Sequence, residues 1–297
     1  SALLSLPAEG LSISDKRAVN EALLRSGANI TEMNCVRKHL SAIKGGRLAA
    51  AAWPTPMLTL AISDVPGDDP SVIASGPTVG DPTTLADVEK VIGKYGIELP
   101  RSVPEFLESA GGETPKPGDE RLGRSRVILV AKPDLALEAA ASLAREECIE
   151  AIILGDAIEG EARDVAREHA RLAIRAATQG ISRVFLSGGE VTVTIKGEGR
   201  GGPNAEYVLA LALALDGNPA VRAIACDTDG IDGSEDNAGA IIGPDTLSRA
   251  KSLGLDGGAF LDANDSYGFF KALDDLVMTG PTLTNVNDFR AILVNGK

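Results

Sequence analysis

The sequence predicts an α/β protein with mostly parallel strands, and three observations support this class. Aromatic residues make up only 3% of a chain that is 44% hydrophobic, so aliphatic side chains must fill the core, which is typical of packed strands and helices. In the second half of the chain, short apolar segments alternate with helical patterns, and this order favours a sheet covered by helices on both faces. The length of 297 residues is enough for two domains, each with its own core.

Two helices are predicted near the start of the chain. Ser14 can cap a helix that runs to Ser26, where Gly27 is placed to end it. A second helix is predicted over residues 31–43, because apolar side chains recur there at steps of three and four residues. The other side of this helix carries the polar residues Asn34, Arg37, Ser41 and Lys44.

One buried strand and two further helices complete the first half. The strand covers residues 57–63, which are apolar and bounded by proline and an acid, and it opens into a loop that begins at Asp64. Helical patterns follow at 84–95 and 101–109.

A linker is predicted over residues 111–124, which are rich in glycine, proline and charge. It would separate a domain over 1–120 from a domain over 121–297. In the second domain, ligands are expected at the carboxyl ends of the strands. The elements predicted there are strands at 127–131, 151–154, 184–187, 191–196 and 221–226, and helices at 133–147, 161–178 and 203–215.

The charge balance excludes two classes of partner. A formal charge of −13 leaves no broad basic face, so neither nucleic acid nor an anionic membrane surface is expected to bind. No apolar run is long enough to span a bilayer. The three cysteines lie far apart, without the spacing of a metal site or a disulfide framework, and indicate reduced thiols in the cytoplasm.

The first residue allows two interpretations. An N-terminal serine, Ser1, could be the nucleophile of a self-cleaved hydrolase, with its own amine as the base. The plainer interpretation, which we adopt, is that the chain is part of a longer protein. A Ser/His/Asp hydrolase would depend on one of the only two histidines, His39 and His169.

Acidic side chains collect in two loops that follow predicted strands. The run ending at Cys226 is followed by Asp227, Asp229, Asp232, Glu235 and Asp236. The other loop contains Asp64, Asp68 and Asp69. Such carboxylates repel one another unless a cation neutralises them. Magnesium fits better than calcium, because the spacing does not match an EF-hand and because Mg²⁺ binds one or two carboxylates together with substrate phosphates.

A cationic stretch precedes Asp64. Residues 33–63 contain no Asp or Glu, although 42 of the 297 residues are acidic. This stretch holds Arg37, Lys38, Lys44 and Arg47. An ordinary solvated face interleaves acids with lysines, so we expect an anion site here. Lys44 also precedes Gly45 and Gly46, whose backbone N–H groups could approach an oxyanion.

Residues 197–204 match the pattern G-x-G-x-x-G between a predicted strand and a predicted helix. Glycines let a backbone approach phosphate oxygens, and a helix N-terminus offers unpaired N–H groups. A turn without a ligand has the same pattern, so this motif alone leaves both interpretations open. The long polar run at 279–288 is expected to be ordered where it covers a site. Together these parts favour phosphoryl transfer, which depends on positioning and charge neutralisation.

Five segments that carry these motifs are similar, in the same order, to the type II glycerate kinases, whose C-terminal part is called the MOFRL domain. They are residues 34–49, 63–78, 187–194, 226–233 and 279–288. The resemblance extends over nearly the whole chain. It implies ATP-dependent phosphorylation of D-glycerate to 2-phosphoglycerate with Mg²⁺, on two three-layer, Rossmann-like α/β/α domains with the active site in the cleft between them. It also implies that the first domain begins upstream of Ser1.

The resemblance leads to three sets of candidate residues. The catalytic candidates are Lys44, Asp64 and Asp229, of which Asp64 and Asp229 are also the candidate Mg²⁺ ligands. The candidates for binding the substrate are Asn34, Arg37, Lys44, Arg47 and Ser75. The candidates for binding ATP are Gly188, Gly189, Glu190, Gly199, Gly202, Asn204, Asp227, Asp232 and Asn285. Which acid accepts the proton is left open.

One departure from the family and two rival functions remain at this point. Many members carry arginine where this chain has Pro203, so Arg200 or another cation would have to bind phosphate instead. An NAD(P)H-dependent hydroxypyruvate reductase would use the loop at 197–202 for its dinucleotide. An anion-binding module would bind glycerate or phosphate without turnover. A homodimer is also left open.

Overall fold

The computed structural model describes residues 3–109 and 111–296. Ser1, the nucleophile of the hydrolase interpretation, lies outside them. The chain separates into two compact units, each described here by itself. They are unit 1, comprising Ser1–Ala61 and Gly67–Val130, and unit 2, comprising Ile62–Pro66 and Ala131–Lys297.

Helices predominate in unit 1. Its elements are α1 (Ile13–Ser26), α2 (Ile30–His39), α3 (Arg47–Ala52), β1 (Met57–Ile62), α4 (Leu85–Tyr95), α5 (Ser102–Leu107) and β2 (Ser125–Ala131). Helix α1 ends at Gly27 as predicted, and its cap is Ser12, whose hydroxyl accepts the N–H of Asp15. The core packs the apolar faces of α1, α2, α4 and α5 together.

Helix α2 ends earlier than its apolar pattern predicts. It stops at His39, so Ser41 and Lys44 do not share a helical face with Asn34 and Arg37, and that part of the prediction is wrong. The Ser41 hydroxyl accepts the N–H of Lys44 at 3.2 Å. This side-chain bond offers the backbone an alternative to the helical ladder and turns the chain.

Strand β1 is not buried as predicted. Leu58 and Leu60 are 60% and 62% exposed, because the strand alternates between a covered and an uncovered face. In the described part of the chain β1 pairs only with β2. A continuous apolar run is typical of strands covered on both faces, which is why the sequence was misleading here.

Residues 111–124, predicted as a linker, belong to unit 1 instead. The Arg47 Nη2 atom donates to the carbonyls of Gly111, Gly112 and Glu113 at 2.7, 3.1 and 3.2 Å. These bonds hold the start of the segment against α3. Its glycine- and proline-rich composition therefore reflects a packed loop rather than a flexible connection.

Unit 2 contains the larger sheet. Its elements are α6 (Pro133–Glu146), β3 (Glu150–Gly155), β4 (Gly160–Glu161), α7 (Ala162–Thr178), β5 (Arg183–Ser187), β6 (Val191–Thr192), α8 (Pro203–Leu215), β7 (Val221–Asp227), β8 (Gly239–Ile242), α9 (Thr246–Ser252), α10 (Gly257–Asp262), α11 (Ser266–Leu273), β9 (Leu276–Val277) and β10 (Asp288–Val294). The strand predicted over 191–196 shortens to the two residues of β6.

The six-stranded sheet of unit 2 has the order β3-β5-β10-β7-β8-β9. The predicted strands β3, β5 and β7 run in one direction, and the α/β class is confirmed. Strands β8 and β10 run against them, so every pair of neighbours except β3 and β5 is antiparallel. Strand β10, which the sequence did not reveal, lies between β5 and β7.

Helix α8 is the most deeply buried helix of unit 2, with every residue from Asn204 to Ala212 buried. It packs against α7, whose buried face consists largely of alanines, and against β7. Small residues on one helix let a neighbouring backbone approach closely. The N-terminus of α8 is therefore fixed inside the unit, next to the ends of β5 and β7.

Two smaller predictions can be compared with the described residues. Cys35, Cys148 and Cys226 are all free thiols, as their spacing predicts. No helix in residues 3–109 or 111–296 combines the length and the apolar character needed to cross a membrane.

Candidate functional site

Two cations of unit 1 lie together without an acidic partner. Burial lowers the pKa of Lys44, and the neighbouring Arg37 lowers it further. Burial also lowers the pKa of Arg37. Neither residue forms an ion pair with any carboxylate of the described residues. Two half-buried positive charges without a counter-ion create a local field that attracts an anion.

Neutral side chains orient Arg37. The Arg37 guanidinium donates from Nε to Asn20 Oδ1 at 2.8 Å and from Nη1 to Asn34 Oδ1 at 3.4 Å. Lys16, which the sequence analysis missed, is the third cation of the group, because burial and then Lys44 lower its pKa. The structure therefore brings the predicted residues Asn34, Arg37 and Lys44 together. Lys16 lies on α1, and no local sequence signal connects it to them.

The glycine pair after Lys44 does not offer its N–H groups to an anion, contrary to prediction. Gly45 donates to the Ser75 carbonyl at 3.0 Å, and Gly46 donates to the Gly76 carbonyl at 2.7 Å. Ser75 thus contacts this turn through its backbone. Ser75 and Ala74 both have positive φ angles, of 63° and 53°, a conformation that is costly for residues other than glycine.

Arg47, predicted as a substrate ligand, does not join the cation pair and instead contacts backbone carbonyls of unit 1. Its guanidinium donates to the three carbonyls of residues 111–113 and to the carbonyl of His39 at 3.4 Å. All four contacts are made by Nη2, so they fix the guanidinium to the backbone of unit 1. His39 is equally structural, since its Nδ1 lies 2.8 Å from the Cys35 carbonyl and its Nε2 lies 3.2 Å from Glu113 Oε1.

A buried ion pair supports the turn that carries Lys44. Lys38 Nζ lies 3.2 Å from Asp81 Oδ1, and both side chains are buried. Asp81 also accepts the Thr114 hydroxyl at 3.2 Å. A Cβ on Gly45 would come within 3.0 Å of Thr114 and 3.3 Å of Asp81, so glycine lets the turn rest on this pair. Lys38 is therefore neutralised and does not contribute to the anion site.

In unit 2, several carboxyls gather where β5 and β7 end and β10 begins. We call Asp64, Glu190, Asp227, Asp229 and Asp288 the acidic edge. Burial, together with Asp229 and Asp288, raises the pKa of Asp227 to about 6. Partial burial of its carboxyl, together with Asp288 and Asp64, raises the pKa of Glu190, although the residue as a whole is exposed. Burial is the larger cause of both shifts and repulsion between the carboxyls adds to it, so a bound cation would favour their ionised forms.

The polar run at 279–288 is ordered against this edge. The Thr228 hydroxyl donates to the Asn287 carbonyl at 2.7 Å, and the Thr282 N–H donates to the Asp229 carbonyl at 2.9 Å. Asn287 Nδ2 donates to the Asp64 carbonyl at 2.9 Å. The Asn285 side chain accepts the N–H of Asn287 at 2.9 Å, so it shapes the turn. This agrees with the expectation that the run is ordered where it covers a site.

Asp232 lies beside the acidic edge, because Asn204 Nδ2 is 3.4 Å from Asp232 Oδ1 and 2.6 Å from Asp288 Oδ1. Its side chain is buried, and its two oxygens accept the N–H groups of Asn204 and Ala205 at 2.9 and 2.8 Å. Burial raises the pKa of Asp232 to about 7. The carboxylate caps α8, so the prediction of unpaired N–H groups there is wrong. Both oxygens of Asp232, predicted as a nucleotide ligand, accept N–H groups of the helix end, so this residue has a structural explanation.

The glycine-rich loop before α8 is shaped by contacts within unit 2. A Cβ on Gly202 would collide with Asp232, and a Cβ on Gly199 would lie 2.6 Å from the Ala263 carbonyl. Asn204 is buried and donates from Nδ2 to Asp288 Oδ1 at 2.6 Å. The three predicted nucleotide contacts of this loop, Gly199, Gly202 and Asn204, thus have a packing explanation.

Two further carboxylates in the loop after β7, those of Glu235 and Asp236, have partners within unit 2. Arg200, expected to stand in for the arginine that Pro203 replaces, forms an ion pair with Glu235. Its guanidinium lies 4.7 Å from the centre of the Tyr267 ring, whose hydroxyl donates to Asp236 at 2.8 Å. Arg200 therefore binds a carboxylate of the loop after β7, which competes with its predicted role in binding phosphate.

The loop after β5 is held tightly. The Gly188 N–H donates to the Gly155 carbonyl at 2.9 Å, and the Gly188 carbonyl accepts the N–H of Ile158 at 3.2 Å. Gly189 has a φ of 94°, and a side chain there would collide with the backbone of Ile158. Glu190 follows with its side chain exposed. Within the described ranges, no three Asp, Glu, His or Cys side chains converge as ligands of one metal ion.

Comparisons with known proteins match both halves of the chain. A family model described as the MOFRL family matches residues 183–288. A model described as a domain of unknown function (DUF4147) matches residues 1–108.

Three relatives cover nearly the whole chain. A Thermotoga maritima protein named D-glycerate 2-kinase is 40% identical over 97% of this chain and 68% of its own length. The crystal structure of glycerate kinase from Thermotoga maritima has a TM-score of 0.91 and 39% identity, covering 97% of this chain and 69% of that one. An Agrobacterium vitis protein named "Putative hydroxypyruvate reductase" is 58% identical over 99% of this chain and 68% of its own length.

Proposed function

Because the chain belongs to the type II glycerate kinase family, whose C-terminal part is the MOFRL domain, we propose that it phosphorylates D-glycerate to 2-phosphoglycerate with ATP. The oxygen of the C2 hydroxyl forms a bond to the γ-phosphorus. The bond from that phosphorus to the bridging oxygen of the β-phosphate breaks, and the hydroxyl proton passes to a base. ADP and 2-phosphoglycerate leave. Such a transfer depends on positioning and charge stabilisation.

The observation that carries this proposal is the unpaired Arg37 and Lys44. Glycerate carries a carboxylate, and the transferred phosphoryl group carries negative charge, so both need cationic partners. Arg37, oriented by Asn34, presents a planar donor set suited to the carboxylate. Lys44 is assigned to the phosphoryl group, as a mobile point charge. Ser75 supports the Lys44 turn through its carbonyl.

The acidic edge is assigned to the nucleotide and to Mg²⁺. Asp64 and Asp229 would hold the ion, and Asp64 is also the candidate base. Their oxygens are hard donors, and the raised pKa of Asp227 marks uncompensated negative charge beside them. A bound Mg²⁺ would supply neutralisation of the phosphate charge. Gly188, Gly189, Glu190, Asp227 and Asn285 remain the proposed nucleotide contacts.

A reductase is the second candidate, and the names of relatives favour it. Two Agrobacterium vitis proteins that are 58% and 51% identical to the chain carry the reductase name. A dinucleotide would place its pyrophosphate at the N-terminus of α8. The buried Asp232 carboxylate already accepts the N–H groups of Asn204 and Ala205 there. Since a pyrophosphate would meet this carboxylate, the geometry argues against the reductase.

One pair of assays on the protein as its gene encodes it separates these functions. We expect ADP release from MgATP that depends on D-glycerate, and no NADH or NADPH oxidation with hydroxypyruvate. Cofactor oxidation without ADP release would establish the reductase instead. Glycerate binding by calorimetry without either reaction would establish an anion-binding module.

Two further parts of the proposal concern the protein in the cell. The three free thiols favour a cytoplasmic location. The homodimer stays a prediction, which sedimentation of the purified protein can test.

A further inference from the structure

Arg290 is a buried cation in the middle of β10. It lies opposite Ser187 of β5 and Ala225 of β7, and its side chain is 1% exposed. Removing a charge from water is costly unless the charge is paired and hydrogen-bonded. An aliphatic residue would fill this position of a sheet at lower cost, so the guanidinium needs an explanation.

The guanidinium reaches the loop that follows β5. Its Nη1 donates to the Gly188 carbonyl at 3.0 Å, and its Nη2 lies 3.4 Å from the Gly189 carbonyl and donates to Asp288. Its cationic centre also lies 5.3 Å from the centre of the Tyr207 ring. Both carbonyls belong to a glycine pair without side chains, so the loop has no side-chain anchor of its own before Glu190.

Each of these carbonyls keeps one backbone donor besides Arg290. The Gly188 carbonyl accepts the N–H of Ile158, and the Gly189 carbonyl accepts the N–H of Asp288, both at 3.2 Å. Loss of the guanidinium should therefore loosen the loop but leave its backbone bonds in place. It also removes the cation from the buried Asp288 and so lowers stability, which means that only a readout of nucleotide binding separates a positioning role from a role in holding the fold.

A chain of contacts ties the same guanidinium to α8. Asp288 pairs with Arg290 through one oxygen and accepts Asn204 Nδ2 at 2.6 Å through the other. The N–H of Asn204 in turn donates to Asp232. The path from Arg290 through Asp288 and Asn204 thus ends on the most buried helix of the unit. Arg290 consequently connects the loop at 188–190 to a rigid anchor.

We propose that Arg290 is a positioning residue, which holds the loop at 188–190 in the conformation that receives the nucleotide. This inference rests on the proposed function, because it takes that loop as a contact of ATP. Arg290 itself touches neither substrate nor the reacting atoms.

The test compares three variants in the glycerate-dependent assay. Arg290→Met keeps the apolar stem and removes the donors, and we expect the KM for MgATP to rise by at least about tenfold while the KM for glycerate stays unchanged. Arg290→Lys restores the charge but offers a single point donor, so we expect an intermediate KM. Arg249→Met is the control, because Arg249 likewise combines carboxylate and carbonyl contacts: it pairs with Asp245 and Asp275 and donates to the Leu273 carbonyl, whereas Arg290 pairs with one carboxylate and contacts two carbonyls.

A purely structural role would give a different result. If Arg290→Met lowers the melting temperature as Arg249→Met does but leaves the KM for MgATP unchanged, the proposal is wrong. If Arg290→Met does not fold, an unchanged KM in Arg290→Lys overturns it equally. Should the wild type show no glycerate-dependent ADP release, the proposed function itself fails. In that case amide hydrogen exchange of residues 188–190 tests the positioning role by itself. The proposal requires faster exchange in Arg290→Met but not in Arg249→Met, and equal exchange in the two variants would overturn it.

Discussion

Lys44 and Arg47 lie three residues apart in the same acid-free stretch, yet they have different environments. Lys44 shares its surroundings with Arg37 and Lys16 and has no acidic partner among the described residues. Arg47 donates to four backbone carbonyls. A cation whose donors are unoccupied can serve a substrate, whereas one that satisfies buried carbonyls serves the fold.

The first prediction contrasts these two residues. We expect Lys44→Ala to reduce glycerate phosphorylation by at least about a hundredfold, since it removes charge stabilisation of the transferred group. We expect Arg47→Met to cost about 1–3 kcal/mol of unfolding free energy, because it leaves buried carbonyls without donors. Steady-state kinetics and urea unfolding of both variants provide the measurements. Near-normal activity of Lys44→Ala would remove Lys44 from the site.

The sequence could not separate these roles. The motif that holds both residues predicted a basic site, and that prediction agrees with the position of Asn34, Arg37 and Lys44. Whether a given cation is already bound depends on distant partners. The carbonyls that receive Arg47 lie in residues 111–113, more than sixty positions away. No local pattern encodes such a contact.

At the scale of elements, the sequence predicted helices whose first residues are a capping side chain or a proline. It missed strand β10, which carries two charged residues on its buried side. Helices α4, α6 and α8 match their predicted ranges to within one residue, and each begins at a capping threonine or at a proline. Strand β10 alternates between buried and half-buried positions, but Asp288 and Arg290 occupy buried ones. Because charged residues are rarely buried, the sequence pattern of β10 predicts that the side carrying Asp288 and Arg290 faces solvent, whereas that side is the buried one. Pairing between the two charges and the loop carbonyls makes the burial tolerable.

The second prediction concerns the core around α8. Leu209 is fully buried on this helix, in the cluster that joins α7, α8 and the sheet. We expect Leu209→Ala to lower the unfolding free energy by about 2–5 kcal/mol, from lost burial and a residual cavity. Leu143→Ala is the matched control, since Leu143 of α6 is 61% exposed, and we expect a change within about 0.5 kcal/mol. Equal effects in the two variants would contradict the assignment of α8 to the core.

At the scale of the whole molecule, the raised pKa values predict how stability depends on pH. The pKa is about 6 for Asp227 and about 7 for Asp232, and burial also raises the pKa of Asp288. An unfolded aspartate titrates near 3.9, so between these values the folded state binds more protons than the unfolded state. The unfolding free energy must then fall as pH rises through this window. Glu32 and Glu113, whose pKa values are lowered to about 2, contribute stability that is lost only as the pH falls below about 4.

The third prediction follows from this sign. Urea unfolding of the wild type, followed by circular dichroism, should give a free energy at least about 1 kcal/mol higher at pH 5 than at pH 8. Asp232→Asn removes one of the titrating groups and should reduce the difference. The chain's formal charge of −13 acts in the same direction, because repulsion grows as carboxyls ionise. A wild-type unfolding free energy that rises from pH 5 to pH 8 would contradict this prediction, because it would mean that the folded protein stabilises the ionised form of these carboxyls.

The fourth prediction uses Mg²⁺ to separate the acidic edge from this general charge effect. At a concentration tenfold above its dissociation constant, an ion that binds only the folded state adds about 1.4 kcal/mol. We expect this gain at pH 8 relative to KCl of equal ionic strength, and its loss in Asp64→Asn and Asp229→Asn. Asp262→Asn is the control, because Asp262 is exposed and pairs only loosely with Arg163, at 3.7 Å. At pH 5 protons compete for the edge, so the gain should shrink. A gain that is equal at both pH values, or equal in all three variants, would mean that Mg²⁺ only screens the chain's net charge and that Asp64 and Asp229 do not hold it.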